Sequence, residues 1–158
     1  MATIISDADG VKHEVDRNLF VSQSVTLKNV LQDTDVGDDD VVEIPLTNIS
    51  TTTFNLIHTY LQHQRDYPPT DTESRSLTLT DWENGFLQVL SNEQLFALML
   101  AANYLNIKSL LEITCKFPAS IIKAKTPAEL RSFYGVNREF TKEEIAATMA
   151  ANPWLNTE

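Results

Sequence analysis

The chain has 158 residues, 42% of them apolar and 22% charged, and a formal net charge of −10. That composition excludes a disordered chain, the length suits one well-packed domain with an appendage, and no apolar run approaches the roughly 18 residues of a membrane span. The negative charge argues against nucleic acid, because Lys and Arg supply most of the affinity for phosphate, and it favours protein partners that are basic at the contact.

The opening MATIISDADG has no basic stretch followed by an apolar one, so no secretory signal is expected there. Thr3 to Ser6 and Val11 to Val15 are β-prone runs split by Asp7-Ala8-Asp9-Gly10, which predicts a hairpin. Asp16 and Ser24 are placed as N-caps, the first for a turn around Leu19 and Phe20 and the second for a helix with Leu27, Val30 and Leu31. Five of the eight residues from Asp33 to Asp40 are aspartate, which predicts a solvated, mobile loop. Val41 to Leu46 follows as a third strand, with Pro45 suiting an edge. Ser50 precedes a helix whose Phe54, Ile57 and Leu61 share a face. Arg65 to Thr80, with its Pro pair and many hydroxyls, predicts a second flexible loop, near 64–81, and Asp81 caps a short helix with Trp82, Phe86 and Leu87.

Ser91 to Lys125 holds the longest apolar periodicity. Ser91 and Gln94 form a capping box, and Asn106 is placed as the N-cap of a second helix, making a central helical hairpin. Leu95, Leu98, Met99, Ala102 and Leu105 make one stripe, while Phe96, Leu100 and Tyr104 cover much of the rest, so this helix is expected to be buried on nearly all sides. Pro118 removes an amide donor and clashes with the Thr114 carbonyl, at a cost of roughly 3 kcal/mol, which predicts a kink or early end. Thr126-Pro127-Ala128-Glu129 and Thr141-Lys142-Glu143-Glu144 open two further helices, with Gly135 ending the first and Asn152-Pro153 the second. Leu130, Phe133, Tyr134, Val136, Phe140, Ile145, Met149 and Trp154 exceed what such short helices can bury among themselves, the mark of an interface.

The motifs LAANYLNIKSLLEITCK (Leu100 to Lys116), KTPAELRSF (Lys125 to Phe133) and FTKEE (Phe140 to Glu144), with QSVTLKNVL upstream and Trp154 near the end, resemble the S-phase kinase-associated adaptor family of SCF ubiquitin ligases. The resemblance implies an α/β (α+β) fold. A BTB/POZ-type domain over 1–124, with a small sheet and helices, would carry a C-terminal helical extension over 125–158 that binds F-box proteins. It also implies a bridge in the cytoplasm and nucleus between the cullin N-terminal region and F-box substrate receptors, with no cofactor and no small-molecule substrate. Carried over residue by residue, the cullin-facing positions are Asn103 and Tyr104. The F-box-facing positions are Cys115, Pro118, Leu130, Tyr134, Val136, Phe140 and Trp154. Pro118, Tyr134-Gly135-Val136 and the tail NPWLNTE depart from the family pattern, which leaves the fold as implied, bears on the choice of F-box partners and suggests a divergent paralogue.

Catalytic chemistry needs a nucleophile with a base, a metal set or a phosphate cradle. His58 and His63 are five apart, on different helix faces, which disfavours a shared metal site. Cys115, the single cysteine, cannot form an internal disulfide and reads as a structural thiol in a reducing compartment. The aspartate run lacks the Gly and distal Glu spacing of an EF-hand loop, and the four glycines never cluster. An adaptor without chemistry of its own is therefore expected. The alternative is a scaffold that self-associates into homodimers outside ubiquitination, and an elongin-C-like adaptor fits less well because it lacks the two capped C-terminal helices.

Overall fold

The computed structural model describes residues 2–33, 43–68, 78–136 and 138–156. The expected aspartate loop, apart from Asp33, and 69–77 of the second expected loop lie outside the described residues. The chain divides into two compact units, Met1–Lys123 and Ala124–Glu158.

The first unit opens with the predicted hairpin, β1 (Ala2–Ser6) and β2 (Lys12–Asp16), paired antiparallel from Ala2 opposite Asp16 to Ser6 opposite Lys12. Its turn is organised by Asp7. The Asp7 Oδ1 accepts from the N–H groups of Asp9 (3.0 Å) and Val11 (2.9 Å), and Gly10 supplies the positive φ of 79° that closes the turn. Short α1 (Arg17–Gln23) and α2 (Val25–Asp33) lead to β3 (Glu43–Pro45), which lies parallel to β1. The sheet order β2-β1-β3 puts β3 at an edge, as Pro45 requires.

The long helix α3 (Thr51–Asp66), capped by Ser50, buries Phe54, Ile57, Tyr60 and Leu61. It runs into the segment expected as loop, because an exposed polar last turn can still continue the ladder once the apolar face is anchored. A short α4 (Asp81–Gln88) follows. Its N-cap is Thr80 rather than Asp81: Thr80 and Glu83 form a capping box that the sequence TDWE already carries.

Helices α5 (Asn92–Tyr104) and α6 (Lys108–Ala124) form the predicted hairpin. Ser91 and Gln94 close the capping box, and Leu95, Leu98, Ala101 and Ala102 enter the core. Burial on nearly all sides is not observed: Phe96, Leu100 and Tyr104 remain exposed, Leu100 by 71%. Helix α3 packs against α5, whose Leu95, Leu98, Ala101 and Ala102 are buried, while these three side chains stay exposed.

Asn106 is not an N-cap. It sits in the left-handed region at φ 51° as the residue that ends α5, its N–H donating to Asn103 O (3.1 Å) and that of Ile107 to Ala102 O (2.9 Å). This is the Schellman arrangement, and asparagine tolerates it because its short polar side chain costs little there. Pro118 does not end its helix either, since α6 continues for six residues beyond it to Ala124. Proline removes one donor but already has a helical φ, and the preceding Phe117 is anchored against the core.

The second unit contains α7 (Pro127–Phe133) and α8 (Lys142–Ala151), both opened by the predicted capping boxes, and a final 3-10 turn, Pro153–Asn156. Gly135, at φ 68°, closes α7 as expected, with Val136 N–H donating to Arg131 O at 2.8 Å.

Candidate functional site

Helix periodicity places Phe96, Leu100, Asn103 and Tyr104 on one side of α5, three or four residues apart. Because the opposite side is committed to the core, these four project outward, and all are exposed. Beside them lies a shallow cavity of about 390 Å³ whose lining includes Ala97, Leu100, Ala101 and Tyr104 of α5. Asn48, Ile49, Ser50 and Thr53, from the approach to α3 and its first turn, form the other wall. An apolar floor bordered by an amide, a phenol and hydroxyls suits a protein partner that inserts apolar side chains and hydrogen-bonds at the rim.

Two cullin-facing candidates, Asn103 and Tyr104, are thus together on this side. Sequence periodicity assigned Phe96 and Leu100 to the core, and the signal it passed over was a helix apolar all round that only one layer covers.

The F-box-facing candidates divide. Cys115 and Pro118 belong to α6 in the first unit, where Cys115 is exposed and Pro118 half-buried, with Ile122 exposed further along. Leu130, Tyr134, Val136, Phe140 and Trp154 belong to the second unit: Leu130 and Tyr134 are half-buried, and the other three are exposed, Trp154 by 69%. Phe133, Ile145 and Met149 are exposed there as well, and neither α7 nor α8 contains a buried residue. A unit with this much uncovered apolar surface has the composition of an interface rather than of a core.

Elsewhere the ionisable groups serve structure. The Asp7 carboxyl would be raised by burial, but hydrogen bonds from His13 (2.7 Å), Thr51 and the backbone of Val11 and Asp9 outweigh this and hold its pKa at about 2. His13 stacks on Phe54 at 4.2 Å. His58 lies against Phe20 and Phe54, and its pKa is lowered by burial and then by the charges of His13 and Arg65. His63 stacks on Trp82 at 3.5 Å, so these two histidines do occupy different faces of α3. Lys116, next to Cys115, pairs with Glu112 at 2.6 Å. Among the described residues there is no cluster of three His, Cys, Asp or Glu placed to hold a metal, and no helix long and apolar enough to cross a membrane.

Comparison with known proteins places the chain among relatives in two stretches and over nearly its whole length. Residues 1–66 match the tetramerisation domain of the Skp1 family, and residues 108–155 match that family's dimerisation domain. The chain is similar to the E3 ubiquitin ligase complex SCF subunit sconC of Arthroderma otae, with 35% identity over 95% of this chain and 92% of the relative. It is also similar to the protein of the same name from Arthroderma benhamiae, with 34% identity over the same shares.

Proposed function

This chain belongs to the Skp1 family, and from that membership we propose that it works as the adaptor subunit of an SCF-type E3 ubiquitin ligase. It holds the N-terminal region of a cullin on the outer side of α5, through Asn103 and Tyr104. It holds the F-box of a substrate receptor through Cys115, Pro118, Leu130, Tyr134, Val136, Phe140 and Trp154. It contributes no catalysis and works in the cytoplasm and nucleus.

The observation that carries the cullin half is the uncovered side of α5, where Leu100 is 71% exposed although its helix is central to the core. Burying an apolar side chain of this size contributes roughly 1.5–3 kcal/mol, which a partner covering it would gain. The test is the double substitution Asn103→Lys with Tyr104→Lys in the full chain. Cullin binding should fall at least about 100-fold, as for loss of interface anchors, while F-box binding and the circular dichroism spectrum stay unchanged. Loss of both partners together would sink the assignment of separate surfaces.

A second role is self-association, supported by the same exposed apolar sides. Sedimentation separates the two: a one-to-one complex with an F-box peptide supports the adaptor, whereas homodimers that persist in excess peptide support the scaffold.

A further inference from the structure

The last turn of any α-helix leaves carbonyls without partners inside the helix, and each must be satisfied elsewhere. At the end of α5 the carbonyls of Ala102 and Asn103 are taken by the N–H groups of Ile107 and Asn106 in the Schellman arrangement. The next two are taken by side chains from a distant element. Thr26 Oγ1 donates to the Tyr104 carbonyl at 3.0 Å, across 78 residues, and Ser24 Oγ donates to the Leu105 carbonyl at 2.6 Å, across 81. Ser24 is buried, and its hydroxyl also accepts from the Leu27 N–H at 3.2 Å, so it caps the start of α2 and the end of α5 at once.

We infer that Ser24 and Thr26 are positioning residues that fix how α5 presents Asn103 and Tyr104 to its partner; this rests on the adaptor role proposed above. The side chains of Asn103 and Tyr104 are exposed, so the backbone that carries them sets where they start from. Their direction follows from the backbone of the last turn, and the carbonyl that Thr26 holds is that of Tyr104 itself. Releasing it lets the turn fray, so the partner must order the turn at its own expense when it binds. Thr26 is the better test residue because it is half-buried, and valine replaces its hydroxyl with a methyl group of similar shape.

The experiment measures binding of the full chain to a recombinant cullin N-terminal fragment and, separately, to an F-box peptide, for the wild type, Thr26→Val, Thr26→Ser and Tyr104→Lys. Thr26→Val should weaken cullin binding about five-fold, the usual effect of one net hydrogen bond, and Thr26→Ser should restore it. F-box binding should not move, and the amides of Leu105 to Ile107 should exchange faster in Thr26→Val alone. If Tyr104→Lys loses the cullin but Thr26→Val binds like the wild type, this inference is wrong and the adaptor role stands. Equal weakening toward both partners would mean that Thr26 acts only on general stability, which also overturns it. A wild-type chain that does not bind the cullin fragment removes the adaptor role, and this inference with it.

Discussion

Asp7 shows how much one side chain organises. Its carboxylate shapes the β1–β2 turn, accepts from His13, and through that ring connects to Phe54 in the core. Its pKa is lowered from 3.8 to about 2, so the stabilisation is complete above about pH 4 and is lost as pH falls toward 2. Asp7→Asn should therefore lower the melting temperature at neutral pH, and the difference from wild type should shrink steadily between pH 4 and pH 2. A difference that stays constant over that range would show that the carboxylate's charge is not what holds the turn. Asn106 is the second decisive residue, at φ 51°. Asn106→Val should cost about 1–2 kcal/mol in urea unfolding, because a branched side chain is strained in the left-handed region, while Asn106→Gly should be nearly neutral.

Elements begin here in a repeated way: Thr80 with Glu83, Ser91 with Gln94, Thr126 with Glu129 and Thr141 with Glu144 each close a capping box. In the last two the glutamate pKa is lowered, first of all by the hydrogen bond from the N-cap backbone N–H. Such caps contribute about 1 kcal/mol each and decide where a helix starts, not whether it persists. Helices α7 and α8 have 7 and 10 residues and bury none of them, below the roughly 12–15 residues at which isolated helices become marginal. We expect the amides from Leu130 to Trp154 to exchange much faster than those from Leu95 to Leu105 in the free chain, and to become protected when an F-box peptide is added. Equal protection without peptide would mean that this surface is rigid before any partner arrives. Ordering on binding costs affinity but lets one adaptor accept many receptors.

On the scale of the molecule, a unit with a layered core and a second unit with no buried helix residues are joined near Ala124. That division suits the adaptor role proposed above, in which a receptor would complete the second part. Truncation after Lys123 should accordingly leave the cooperative thermal transition in place and remove F-box binding; loss of the transition would show that the core depends on the C-terminal residues. The hairpin, the edge strand, three of the four capping boxes and the glycine stop of α7 were legible in the sequence, because each depends on donors and acceptors within a few residues of one another. The family was legible too, in the run from Leu100 to Lys116 and the motifs after it. Which side of α5 is covered was not, since an all-round apolar helix has no preferred face until distant strands and helices supply a layer. Thr80 displaced Asp81 as a cap within a stretch where both can serve. Asn106 became the stop of one helix rather than the start of the next, and Pro118 was carried through a helix by its neighbour Phe117. Local hydrogen bonding was written in the chain itself, whereas burial belonged to the tertiary structure, because it depends on what residues far away in sequence bring alongside.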